Sequence, residues 1–482
     1  MARGPDRNGL GSLLSWIAKA FAADLPSAIF TLKMRNGAFR AWALAGPALP
    51  GMTMGPTALA RVPAGPMLGT YAFVAWTTFV TVDPISVGGV PLKLFLLVLA
   101  LGMWWPHRSG RPIPFAVPVV VVAVAAPILW SVVTTLYPHP YAGMTPSPLQ
   151  MTLEHASRFL YLLIYFPIAD TMLRGDSRRT ISMWLVPACL LAVLTWALYV
   201  LYRHLGVDLG VTLTTTGKDA QAQLGPLLGV VTPPDVSPGR IYFANHILVI
   251  PTMAVLLGWM AKDSPPWWLP GALLLVLGAL YPIHSRGLTV GVLAVLTISA
   301  ALSWRVRSPW PVALLALSLS VLFLTAFDAR AAQFLTGERS DASAQDRVVQ
   351  APQLLEAFAQ RPLLGSGLGA TLPSGFFRSG ADPYQFELSY HQILFQNGLI
   401  GLVVILGLPI LASVRSLVAI RRLSREERAL AVAGVAGIAG LLLAGASSPY
   451  LISSYGMLAL AVTLALCARA THISKHVGPR TS

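Results

Sequence analysis

Long apolar runs recur along this 482-residue chain and constrain it more than any other feature. A bilayer core takes about 20 apolar residues as helix, because backbone amides left unsatisfied in hydrocarbon cost several kcal/mol and a helix satisfies them internally. Twelve runs fit, at approximately 66 to 82, 89 to 105, 113 to 135, 159 to 173, 181 to 202, 241 to 261, 267 to 283, 288 to 304, 309 to 327, 391 to 413, 429 to 446 and 450 to 468. The fourth is short and carries Asp170 near one end. The chain is therefore expected to be an all-α polytopic integral membrane protein with about 12 transmembrane helices. Its residues are 55% hydrophobic and only 11% charged, with a mean hydropathy of +0.66. A soluble domain carries roughly 25% charged residues, so a soluble enzyme is excluded. The two cysteines, Cys189 and Cys467, lie inside apolar runs and read as buried thiols, with no disulfide framework.

The formal net charge of +15 is read first as a topology signal. With residues 1–65 on the cytoplasmic side, the short inner loops hold 13 Lys and Arg residues, whereas the short outer loops hold two, Arg158 and Arg286. That bias predicts both termini on the cytoplasmic side and no nucleic-acid partner. Residues 1–65 form a basic N-terminal segment, in which the weakly apolar Leu10 to Phe30 is either an amphipathic surface helix or a basic tail. Residues 66–468 form the membrane domain and residues 469–482 a cytoplasmic tail. Two long outer loops interrupt the membrane domain, at 203–240 and 328–390, and loops of such length are usually functional or disordered. In the second, Val348, Ala351, Leu355 and Phe358 fall at helical spacing, Ser343 can cap the start, Pro362 stops the helix, and Gly365, Gly367 and Gly369 follow in a turn-rich stretch. A partly helical periplasmic cap between helices 9 and 10 is therefore expected.

Cations on the outer side are the candidates for chemistry. Arg286, in the four-residue turn His284-Ser285-Arg286-Gly287, either meets an anion or snorkels to the interface. Arg240 stands at the outer edge of the sixth run, with Asn245 and His246 below it, facing either a cavity or another helix. Arg347 falls in the first turn of the cap helix, where a cation is unfavourable unless an anion is supplied, and Asp346 is one source. His391 opens the tenth run, with Asn397 and Gly398 following; Gly398 allows close approach of a helix or lipid. Arginine forks match phosphate oxygens, and imidazole takes a proton from a hydroxyl at neutral pH. That combination suits glycosyl transfer from a lipid diphosphate.

In order and spacing these residues resemble the O-antigen ligase and O-antigen polymerase (Wzy-like) superfamily of bacterial membrane glycosyltransferases. The resemblance runs over about residues 235 to 410 and rests on Arg240 and Asn245, on Ser285-Arg286-Gly287, on Arg347 followed by Arg361-Pro362-Leu363-Leu364-Gly365-Ser366-Gly367-Leu368-Gly369, and on His391 with Asn397-Gly398-Leu399-Ile400-Gly401. Gln392 and Ala244 stand where that family often has Asn and Pro. The resemblance implies an undecaprenyl diphosphate-linked glycan as donor and a glycan or lipid A core as acceptor. It implies inverting, metal-independent transfer without a cofactor, in O-antigen or exopolysaccharide assembly. Arg286 and Arg347 would bind the diphosphate, Arg240 would be a secondary contact, His391 the general base, and Asn245, His246, Asn397 and Gly398 supporting residues. A carboxylate, such as Glu154, Glu356 or Glu387, is the alternative base.

The size of the two outer loops tilts the expectation toward polymerase over ligase, since a polymerase must hold two glycans. The rival class is a transporter or flippase of lipid-linked oligosaccharide, whose cationic face binds a diphosphate and makes no bond. Transporters often carry paired broken helices in related halves, and the sequence has no such pairing.

Overall fold

The computed structural model describes residues 64–79, 86–87, 90–108, 113, 120, 123–126, 128–129, 157–174, 177–203, 244–260, 266–283, 285–303, 342–372, 386–446 and 448–476. Among these the chain is helical apart from one antiparallel pair of two-residue strands, β1 (Ser86–Val87) and β2 (Val90–Pro91). The longer helices are α1 (Ala64–Phe79), α2 (Leu92–Trp104), α3 (Tyr165–Leu173), α4 (Ser177–Arg203), α5 (Val249–Met260), α6 (Leu269–Gly278), α7 (Arg286–Ser303), α8 (Ala342–Gln360), α9 (Ser389–Ile420), α10 (Arg425–Gly445) and α11 (Ser454–His476). Helical 3-10 segments at Tyr161–Ile164 and Ala244–Leu248 lead into α3 and α5.

Among the described residues, four stretches are long and apolar enough to cross a membrane: Thr180–Leu201 within α4, and α9, α10 and α11. Leu92–His107, Asn245–Met260, Leu269–Ile283 and Gly287–Leu302 are shorter apolar helical stretches. The expected run at 113 to 135 is described only in part, and that at 309 to 327 lies outside the described residues, as do loop 203–240 apart from Arg203 and most of loop 328–390 before Ala342.

The packing centre is α10, which contacts α5, α7, α9 and α11. Its small residues make this possible, because in hydrocarbon helices associate by close van der Waals packing rather than by expelling water. A β-carbon on Gly440 would lie 2.7 Å from the carbonyl oxygen of Gly291, and one on Gly291 would lie 2.7 Å from that of Gly440. The backbones of α7 and α10 therefore touch at a point where no other residue fits.

Charge pairs close one end of the bundle. Ser424 caps α10 by accepting from the Glu427 amide at 3.4 Å. The Arg469 guanidinium, near the end of α11, donates to both carboxylate oxygens of Glu427 at 2.9 and 2.7 Å and to the Met172 carbonyl at the end of α3. Asp170, the charge that makes the fourth run look insecure, is only 1% exposed. Its carboxylate accepts from Trp104 Nε1 at 2.9 Å and from Arg174 at 2.6 Å, so the charge is paired and hydrogen-bonded rather than stranded in the hydrocarbon.

The helix expected in the second long loop is present as α8. It begins at Ala342, so Ser343 stands within its first turn instead of preceding it. Its orientation differs from the sequence pattern. Gln350, Leu354 and Ala357 are buried, while Val348 and Leu355 of the expected apolar face are 74% and 44% exposed. Leu354 and Ala357 pack with Ala370, Leu372, Phe386 and Phe395 in a small apolar cluster, and the Phe386 and Phe395 rings meet edge to face at 5.8 Å.

Candidate functional site

Two sequence motifs are spliced into one backbone unit. An uninterrupted α-helix would pair the Leu399 and Ile400 amides with the Phe395 and Gln396 carbonyls four residues back. In α9 they donate instead to Pro362 O at 2.8 Å and Leu363 O at 3.2 Å. The two carbonyls thus released accept from Ser366 N at 2.7 Å and Gly367 N at 2.8 Å. All four groups remain satisfied although the helix is broken. Glycine makes the splice possible: Gly398 has φ 65° and Gly365 φ 71°, and a β-carbon on Gly365 would lie 2.5 Å from the Gly398 nitrogen. Gly398 therefore admits close approach, as its sequence suggests, but of the turn after α8 rather than of a helix or lipid.

The break sets off Ser389–Asn397, which carries His391 at its start. The His391 ring is half-buried, and its Nδ1 is buried without a hydrogen-bond partner among the described residues. Gln392 accepts from the Phe386 amide at 3.2 Å and donates to Gln396 at 3.1 Å, fixing the approach to this short helix. Asn397 is buried beside Gly401, where a β-carbon would collide with it.

The start of α8 meets the start of α9. Arg347 pairs with Glu387 at 3.0 Å, their side chains being 28% and 12% exposed. Glu387, two residues before α9, supplies the anion that the sequence offered in Asp346. Arg347 Nε is buried without a hydrogen-bond partner among the described residues. One turn along α8, Gln350 Oε1 accepts from the Glu387 amide at 3.0 Å and the Leu388 amide at 3.4 Å.

The start of α7 is built from Ser285-Arg286-Gly287. Ser285 caps the helix: its Oγ lies 3.5 Å from the Leu288 amide, and its carbonyl accepts from Thr289 N at 3.0 Å and Thr289 Oγ1 at 2.9 Å. Arg286 is the first residue of α7; its side chain lies outside the described residues.

One short turn, between α10 and α11, joins these starts. Ser285 Oγ lies 3.3 Å from Tyr450 Oη, and Ser389 Oγ donates to Ser448 O at 2.5 Å. The next residue, Tyr390, donates from Oη to Leu442 O at 2.5 Å. Beyond the same turn, Tyr455 takes a hydrogen bond at 3.0 Å from buried Lys93, whose ammonium also lies 4.7 Å from the Tyr455 ring centre. The segments bearing Arg286 and His391 are thus fastened to residues 448–450, and Arg347 is fastened to the residue preceding α9 by two. Sequence reasoning missed Tyr450, Ser448, Ser389 and Gln350. The only signal for them was a polar Ser447-Ser448-Pro449-Tyr450 turn between two apolar runs.

Arg240 lies outside the described residues. Asn245 and His246 are fully buried and serve as links between helices. Asn245 Nδ2 donates to Thr78 O in α1, and His246 Nε2 lies 2.8 Å from Thr195 Oγ1 in α4. This is the helix-to-helix alternative for the pair. Among the described residues no three His, Cys, Asp or Glu side chains converge as metal ligands.

Residues 271–406 match the O-antigen ligase family. The match makes this segment, rather more than a quarter of the chain, similar to O-antigen ligases. The matched segment contains Ser285-Arg286-Gly287, Arg347, the spliced turn and His391; Arg240, Asn245 and His246 precede it. No curated protein matches the chain.

Proposed function

We propose that the protein transfers a glycan from undecaprenyl diphosphate to an acceptor hydroxyl at the periplasmic face of the bacterial inner membrane, with inversion and without a metal. The observation that carries this reading is the fastening of the α7 and α9 starts to one turn, with Arg347 held beside the α9 start. Arg286 and Arg347 bind the diphosphate and stabilise it as leaving group, as paired guanidinium forks do for phosphate oxygens, and Arg240 is a secondary contact. Arg347 reaches the donor by exchanging Glu387 for phosphate oxygens. His391 is the general base: its unpartnered Nδ1 leaves imidazole capacity for an acceptor proton. Gln392, Asn397 and Gly398 shape the short helix that carries it. A second lipid-linked repeat unit is the favoured acceptor over lipid A core, on the strength of the two long loops.

The test is a reconstituted reaction of purified protein with an undecaprenyl diphosphate glycan, each acceptor offered separately. Turnover is expected with the repeat-unit acceptor, and a His391→Ala variant is expected to lose about 10²- to 10⁴-fold in rate while remaining folded. Movement of intact donor across vesicles with no product from either acceptor would establish the transporter instead.

A further inference from the structure

The outward face of α8 is apolar. At 3.6 residues per turn, Val348, Pro352, Leu355 and Ala359 fall within about 60° of one another on the helix circumference. All four are exposed, Val348 at 74% and Leu355 at 44%. Opposite them lie buried Gln350, Leu354 and Ala357. The helix is therefore apolar on both sides, whereas an amphipathic helix packed on a core with water outside would carry polar residues on its exposed face. Over 19 residues, about 28 Å of helix, a solvated face would be expected to carry charge, and Glu356 is charged but stands to one side of the stripe.

This face continues into an exposed apolar stripe of α9. The turn after α8 exposes Leu363 at 60% and Leu364 at 49%, and the splice bonds it to the first amides beyond the α9 break. There Leu399, Ile400 and Val403 are 47%, 48% and 62% exposed, and Ile410, Val414 and Val418 extend the stripe down the helix. The most apolar window of α9 has a mean hydropathy of 2.3 and is only a third buried within the protein, so this stripe suits contact with lipid.

We propose that α8 is an interfacial helix. Its Val348, Pro352, Leu355 and Ala359 face, with Leu363 and Leu364, sits in the headgroup and upper acyl region of the same bilayer that α9 spans. The occupant of this face is a phospholipid leaflet. Apolar faces of surface helices bind there through buried apolar area and enter about 5 to 10 Å. Arg361, exposed immediately beyond the helix, lies where lipid phosphates would meet it. The inference requires only that the protein is membrane-embedded and stands apart from the glycan-transfer reading. If that reading also holds, the Arg347 end of α8 is kept at the level where a lipid diphosphate leaves the acyl region.

The test uses full-length protein in nanodiscs holding one copy each. Variants Leu355→Cys, Val348→Cys and, for the flank, Glu356→Cys each carry an environment-sensitive fluorophore. The native Cys189 and Cys467 are buried, and the labelled parent serves as blank. Blue-shifted emission at 348 and 355, quenched by doxyl-labelled lipids and resistant to iodide, with iodide quenching at 356, is the expected result. Water-like emission and iodide quenching at all three positions would overturn the proposal. So would shielding at 348 and 355 from both quenchers, which would mean that protein covers the face. Glycan-transfer activity enters none of these readouts.

Discussion

The two ends of the helical bundle are closed by different chemistry. At one end, arginines meet carboxylates: Arg469 grips Glu427 with two nitrogens, and Arg174 meets Asp170 at 2.6 Å. At the other, hydroxyls meet carbonyls and each other, through Ser389, Tyr390, Tyr450 and Ser285, and one helix is broken and re-paired with a loop. The first arrangement fixes helices and uses its charges to do so. The second holds backbones in place largely with neutral groups, beside the single Arg347–Glu387 pair at 3.0 Å. His391 Nδ1 and Arg347 Nε, both buried without hydrogen-bond partners, belong to that second end.

This contrast separates effects on stability from effects on turnover. The largest change in stability is expected from Arg469→Ala, which strands Glu427 and the Met172 carbonyl. A loss of about 2 kcal/mol is expected, between the values for exposed and fully buried pairs. Thermal unfolding in detergent should fall accordingly while turnover per folded molecule stays near wild type. A fall in specific turnover would show that the two ends are coupled. Next comes Gly398→Ala, which places a side chain at φ 65° against the spliced turn. The backbone conformation alone, φ 65° and ψ −170° in a region essentially restricted to glycine, costs roughly 1 to 3 kcal/mol. Proteolysis between 361 and 368 should accelerate and turnover should fall sharply, with the rest of the bundle intact. Unchanged turnover would detach the splice from function. The smallest stability effect is expected from Glu387→Gln, which weakens a partly exposed ion pair by less than about 1 kcal/mol. Donor KM should move more than the melting temperature, because Arg347 loses its resident anion. A large stability loss with unchanged KM would make the Arg347–Glu387 pair purely structural.

The helical class and the four long apolar helices were readable from the chain itself, because hydrocarbon imposes length and apolarity on a spanning helix. The helix at Ala342–Gln360, its stop before Pro362 and the glycine turn were readable for a similar reason: few residues tolerate the backbone of the stop and the turn, and Gly365, Gly367 and Gly369 have φ of 71°, 95° and 84°. The face that α8 buries was not readable. Periodicity reveals that a stripe exists, whereas whether lipid or protein covers it depends on the helix's surroundings. The partner of Arg347 was equally hidden, since Glu387 lies 40 residues from it and Asp346 is adjacent in sequence. Asn245 and His246 looked alike as cavity residues or as links between helices until Thr78 and Thr195 appeared opposite them.

The fastening at residues 448–450 has an asymmetric sequence record. Ser389 reaches the main-chain oxygen of Ser448, and Tyr390 that of Leu442, so each bond depends on a side chain at one partner and on any amino acid at the other. Relatives could therefore diverge freely at 442 and 448 and keep the same joint. Comparing sequences position by position would register only one hand of each handshake.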